Sequence, residues 1–161
     1  MMKKEIERKF LVNDMPSLVG IKPLRYERYF LQRGGTIEER IQKKGDVFEY
    51  EKKVNISHME SHKEKKIISE EEYMKLRHRT LDAIIRDSYI LSSDPEISIK
   101  IYGGRFKGLV RVEVEFKSVE DAVSFIPFEW MGKEITYLPL GRDGNLLDLT
   151  NQEFAKLLHS I

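Results

Sequence analysis

The sequence predicts an α+β fold in which short antiparallel strands form a barrel or sandwich with helices outside. Three observations carry this. Short runs of period-two alternation recur along the 161 residues, which is the spacing of strands whose successive side chains point to opposite faces. Turn signals separate the runs at regular intervals. Serine and threonine capping patterns mark only about three helices, which leaves the strands as the dominant element.

The elements follow in order. Glu5, Glu7 and Lys9 alternate with Ile6, Arg8 and Phe10 in the first strand. Residues 24–33 form the second, closed by Gly34-Gly35. Residues 36–44 and 47–54 pair as a hairpin across Lys44-Gly45-Asp46. Residues 59–68 are polar and give the weakest strand signal. Ser69 followed by Glu72 starts a helix expected to reach about Thr80. Residues 83–91 alternate again. Residues 96–102 and 109–117 form a hairpin around Gly103-Gly104 and Gly108. Ser118–Asp121 and Thr150–Glu153 each begin a helix, and Phe154, Leu157 and Leu158 give the last one its apolar stripe. The pattern amounts to about eight strands and three helices in a single domain spanning 1–161.

Composition narrows the function. Charged residues make up 34% of the chain and nearly cancel, with net charge +1, so a nucleic-acid partner is not expected. There is no cysteine, which excludes disulfides and thiolate metal sites. The four histidines show no HxxxH or HExxH spacing, so any metal would be a hard ion held by carboxylates. No apolar run approaches the roughly 20 residues that span a bilayer, and MMKKEIE lacks an apolar signal region. The expectation is a cytoplasmic protein without a membrane partner, as monomer or homodimer.

The strands share a feature: one face is charged with both signs. Val110, Val112, Val114 and Phe116 oppose Arg111, Glu113, Glu115 and Lys117, and Ile97, Ile99 and Ile101 oppose Glu96, Ser98 and Lys100. Arg40 and Gln42, Glu49, Glu51 and Lys53, and Arg86 and Ser88 sit on the polar sides of their strands. Either these faces meet water, as in most antiparallel sheets, or the barrel is turned inside out and they line a wet lumen. In the second arrangement Lys9, Arg40, Lys53, Arg86, Lys100 and Arg111 would clamp a polyphosphate. Glu5, Glu7, Glu113 and Glu115 would hold Mg²⁺ or Mn²⁺ against it.

The first strand resembles the E-x-E-x-K signature of the CYTH, or triphosphate tunnel metalloenzyme, superfamily. Arg40, the KGD turn and Lys53 are similar to its R-x-R, hairpin, K pattern, and Arg86 matches a mid-chain basic residue. Gly108-Leu109 with Glu113-Val114-Glu115 resembles its G-L-x-x-x-E-x-E strand. Trp130 to Thr136 resembles its W-x-G-x-E-[VI]-T segment, after which the family carries a helix near the tunnel. The resemblance implies a closed eight-stranded antiparallel tunnel that binds triphosphates with a divalent metal. Inorganic triphosphatase, thiamine triphosphatase and class IV adenylyl cyclase activities occur in the superfamily.

With that resemblance, the leading expectation is metal-dependent hydrolysis of inorganic triphosphate, with Lys9, Glu113 and Glu115 as catalytic residues. The alternatives are conversion of ATP to cyclic AMP and pyrophosphate, and a non-catalytic triphosphate- or polyphosphate-binding module. Three positions depart from the pattern. Gln42 replaces the second Arg. Residues 60–64 offer His62 and Glu64 where relatives carry two acids. Lys100 stands where relatives often have Asp. A lumen more basic than usual is expected, with stronger anion binding and weaker metal binding.

Overall fold

The computed structural model describes residues 2–80 and 82–160. Among them, nine strands form one antiparallel sheet: β1 (Lys3–Val12), β2 (Leu24–Gln32), β3 (Ile37–Lys44), β4 (Val47–Asn55), β5 (Glu60–Ile67), β6 (Ala83–Ser93), β7 (Glu96–Tyr102), β8 (Val110–Phe116) and β9 (Met131–Glu134). The order is β5-β4-β3-β2-β6-β7-β8-β1, and β5 pairs back onto β1 to close an eight-stranded barrel. β1 serves two partners on its other edge. Its first half pairs with β5 from Lys3 to Ile6, while Phe10 and Val12 pair with the short β9. β9 was not expected as a strand; it is the Trp130–Thr136 segment filling the edge that β5 leaves open.

The barrel is inverted with respect to a soluble sandwich. Its apolar faces point outward, under helices. Tyr73 of α1 (Glu70–Arg77) sits with its ring centroid 4.9 Å from that of Phe48 and packs with Ile41 and Ile68. Ala122 of α2 (Val119–Ser124) packs on Ile6, Phe10, Val112 and Val114. A third cluster joins Leu11, Phe30, Tyr102 and Leu109 to Leu140, Leu146 and Phe154, the last two carried by α3 (Asp143–Leu146) and α4 (Asn151–His159). Two of these cores lie between barrel and helices, and the third, built from residues on the inward strand faces, closes one barrel end, which is how a chain with one-third charged residues folds.

The helix starts match their caps. Ser69 Oγ accepts from Glu72 N at 3.0 Å, and Thr150 and Glu153 form a reciprocal capping box. α1 ends at Arg77, three residues before the expected end, because residues 78–80 tighten into a turn. The β3–β4 hairpin turns at Gly45, whose φ of 59° an L-residue would resist. Between β9 and α4 lie a 3₁₀ turn at Pro139–Gly141 and the single-turn α3. No described helix is long and apolar enough to cross a membrane.

Candidate functional site

Strand parity decides which side chains meet inside. Antiparallel register places Glu7, Glu115 and Glu96 side by side on β1, β8 and β7. One step deeper, Lys9, Glu113 and Ser98 form the next row, followed by Arg111, Lys100 and Ser88. From β6, β2, β3 and β4 come Arg86, Tyr26, Arg28, Arg40, Gln42, Glu51 and Lys53. Together they enclose a cavity of about 250 Å³, smaller than the roughly 300 Å³ at which pockets for drug-sized ligands begin. Eleven basic and eight acidic side chains line it. The structure therefore brings Glu5, Glu7, Lys9, Arg40, Lys53, Arg86, Lys100, Arg111, Glu113 and Glu115 into one lumen.

The pairing inside that lumen is uneven. At the inner end, Arg111 Nε and Nη2 donate to Glu113 Oε2 at 3.0 and 2.7 Å, and Arg86 Nη1 donates to the same oxygen at 3.2 Å. Burial works to raise Glu113, but Arg86, Arg111, Lys100 and Lys9 hold it well below the ordinary carboxylate range. Glu113 is thus committed to the arginines. Glu5 is similarly engaged, 2.8 Å from Lys63 Nζ. Glu7 lies only at 3.9 Å from each of Lys9 and Lys53. Glu115 is pushed up to about 7 by burial, by its hydrogen bond with Glu96 and by nearby Glu7 and Glu5. Among the described residues Glu115 has no basic partner within ion-pair distance, and those of Glu7 stand at its limit.

That crowding tests whether a divalent ion suits the site. Among the described residues no three acidic or imidazole groups are gathered closely enough to cage a metal unaided. Mg²⁺ seldom needs such a cage, since it is usually held by one or two carboxylates plus phosphate oxygens and waters. The Glu7–Glu115 pair, with its proton-retaining carboxyl, fits that mode. Glu113 and Glu5 serve it less well because lysine and arginine already occupy them.

The basic groups are strained by burial. It pushes both Lys9 and Lys100 down to about 8. Lys100 Nζ donates to Ser88 Oγ at 2.7 Å, lies over the Tyr26 ring at 5.6 Å, and has Glu113 as its nearest opposite charge, at 4.0 Å. Arg86 Nε is buried without a hydrogen-bond partner in the cavity wall. This unsatisfied buried donor and the weakly paired ammonium groups favour an anion in this space.

Four features of the lumen escaped sequence reasoning. Arg28 donates through Nε to Gln42 Oε1 at 2.7 Å, and Gln42 Nε2 donates to Glu49 at 2.8 Å. Arg28 thus brings a positive charge to the row where Gln42 has none; alternation within β2 was the available signal. Tyr26 lies within 5.2–5.7 Å of Arg28, Lys44, Arg86 and Lys100, a ring face surrounded by cations. On β5 the inward set is Ser61, Lys63 and Lys65. His62 points outward, 41% exposed beside Glu60, and Glu64 lies on the same outer parity opposite Lys52. The expectation that Glu64 could fill an acidic lumen position is corrected, and His62 lies outside the lumen, as an edge residue rather than a ligand would. Inner and outer residues of β5 are equally polar, so composition could not set its frame. Finally, Asp143 enters from α3 and meets Arg28, Arg86 and Arg111.

No protein-family model matches the chain. An inorganic triphosphatase from Nitrosomonas europaea is 27% identical over 146 residues, 82% of this chain and 89% of that protein. The solved structure of the inorganic triphosphatase NE1496 aligns with a TM-score of 0.65 at 25% identity, covering 88% of this chain and 95% of that one. A candidate adenylate cyclase from Bacillus halodurans shares the fold with a TM-score of 0.55 at 16% identity, over 78% of this chain and 95% of the other.

Proposed function

We propose that the chain is a member of the CYTH, or triphosphate tunnel metalloenzyme, superfamily, as its similarity to an inorganic triphosphatase supports, and that it hydrolyses a small triphosphate, inorganic triphosphate first, in the cytoplasm with Mg²⁺ or Mn²⁺. The observation that carries this reading is the lumen: an enclosed space of about 250 Å³ with an excess of buried cations and an unpartnered guanidinium nitrogen. Such a space suits a compact, multiply charged anion and gives little room to an attached organic group.

The residues divide by what they can reach. Lys9, Arg40, Lys53, Arg86, Lys100 and Arg111 would bind phosphate oxygens, with Arg28 added from β2. Their guanidinium forks fix the chain in register and neutralise the charge that develops on the leaving phosphate. Glu113 orients Arg86 and Arg111 for this task. Lys9 and Lys100 give up a proton more readily than ordinary lysines, so they can adjust charge as phosphate binds and leaves. Glu7 and Glu115 would hold the metal, which supplies charge neutralisation and a more acidic water.

The test is turnover. Purified protein with Mg²⁺ or Mn²⁺ should release phosphate from tripolyphosphate at a rate that chelation abolishes. ATP should yield neither cyclic AMP nor pyrophosphate at a comparable rate. Binding of tripolyphosphate without phosphate release under either metal would replace hydrolysis with a binding role, and cyclic AMP formation would replace it with cyclisation.

A further inference from the structure

Asp143 differs from every other acid in the lumen because no barrel strand carries it. It sits on α3, in the segment that follows β9, and its side chain is only 2% exposed. Its Oδ1 accepts from Tyr102 Oη at 2.6 Å and from Arg111 Nη2 at 2.9 Å. Its Oδ2 accepts from Arg28 Nη1 at 2.9 Å and lies 3.2 Å from Arg86 Nη1. Three guanidiniums and a phenol around one small anion is the coordination that a phosphate group attracts.

The segment carrying it is wedged in place. Arg142 Nη2 donates to Ser57 O at 2.8 Å. A Cβ on Gly141 would lie 2.1 Å from Ile135 O, so only glycine allows this approach. Leu140 and Leu146 on either side belong to the apolar cluster with Leu11, Phe30, Tyr102 and Leu109. That cluster fills the barrel end behind Asp143. At the opposite end, Glu5, Glu96 and Glu115, with Lys63 and Lys65, line both the lumen and a wider groove of about 680 Å³ that continues past Pro95, Phe116 and Phe125. The lumen therefore has a built stop at one end and an open mouth of mixed charge at the other.

We propose that Asp143 is a built-in anion occupying the innermost phosphate position of the tunnel, so that it sets how deep a phosphate chain can enter and restricts the substrate to short chains. This rests on the triphosphate reading above and adds a specificity determinant to it. A chain entering from the mouth is stopped by Asp143. A phosphate beyond those that the inner cations and the metal-bearing Glu7–Glu115 pair accommodate projects past Glu5 and Glu96 into the open mouth, where Lys63 is already 2.8 Å from Glu5 and few cations are left to hold it. Removing the Asp143 charge frees Arg28, Arg86 and Arg111 to take one phosphate more, and draws a longer chain inward.

The experiment compares the wild-type chain with Asp143→Asn, which keeps shape and acceptor oxygen and removes charge. The first readout is kcat/KM for tripolyphosphate against tetrapolyphosphate. The wild type should favour the shorter chain, and Asp143→Asn should narrow that preference at least tenfold. The second readout needs no turnover: the rise in Tm with inorganic phosphate over chloride at equal ionic strength should be larger for Asp143→Asn. Should Asp143→Asn fail to fold, Tyr102→Phe removes the shortest bond to the carboxylate, keeps every charge, and should shift the chain-length ratio two- to threefold in the same direction. An unchanged ratio in a folded, active variant overturns the proposal. If neither protein hydrolyses any polyphosphate, the hydrolase reading fails by itself. The phosphate-dependent Tm then decides the role of Asp143: a larger rise in the variant sustains it, and an equal rise ends it.

Discussion

Replacing Lys100 with methionine should make the ligand-free protein more stable at neutral pH. Lys100 is buried, with one hydrogen bond to Ser88 and a distant Glu113 as its nearest opposite charge. Burial lowers its proton affinity from an ordinary 10.5 to about 8. A lysine whose pKa falls on folding binds its proton more tightly in the unfolded chain. It therefore destabilises the native state below pH 8, and this penalty fades as pH rises from 8 toward 10.5. At about 1.36 kcal/mol per pKa unit the penalty at pH 7 is about 3 kcal/mol. Losing the bond to Ser88 returns about 1 kcal/mol of that. Lys100→Met should then gain about 2 kcal/mol, raising Tm by about 4–8 °C in a chain of this size. The gain should fall below half by pH 9.5. A bound polyphosphate supplies the missing counter-charge, so saturating tripolyphosphate should raise the wild-type Tm more than that of the variant. Differential scanning calorimetry of both proteins at pH 7 and pH 9.5, with and without tripolyphosphate, measures all of this. A variant that is less stable than wild type at pH 7, or a difference independent of pH, would refute the assignment of Lys100 as an underpaired buried charge.

Three further outcomes are expected. Arg40→Met removes a buried guanidinium with only a 3.4 Å contact to Glu51; at about 1.5–3 kcal/mol per charge-assisted bond, isothermal titration should show tripolyphosphate affinity falling at least tenfold. Glu115→Gln should reduce Mg²⁺-dependent phosphate release by about 10- to 100-fold, while tripolyphosphate still binds in chelator, and equal activity would remove Glu115 from the metal site. Arg8→Ala acts outside the tunnel: Arg8 makes bonds of 2.9 and 2.8 Å to Glu134 and donates to Ala122 O and Phe125 O, so its loss should cost about 2–3 kcal/mol. Thermal melts should show Tm falling by roughly 5–10 °C, with KM for tripolyphosphate unchanged below the transition.

Alternation is a local property, and it determined much of this protein in advance. The backbone pleat sends residues i and i+2 to the same side, so Glu5, Glu7 and Lys9, or Arg111, Glu113 and Glu115, had to share a face wherever their strands went. The capping serines and threonine likewise placed helix starts at Glu70, Val119 and Asn151. Tertiary structure decided which charges became partners, because that depends on strand register and on chain segments far apart in sequence. Glu113 and Glu115 look alike as letters. Register puts one against Arg86 and Arg111 and the other against Glu7 and Glu96, which separates their proton affinities in opposite directions. The frame of β5 was set by pairing with β1 and β4, since its own residues have no apolar side to bury. Asp143 lies in an aperiodic segment, and only closure of the barrel end brought it among three arginines contributed by strands 32 to 115 residues away.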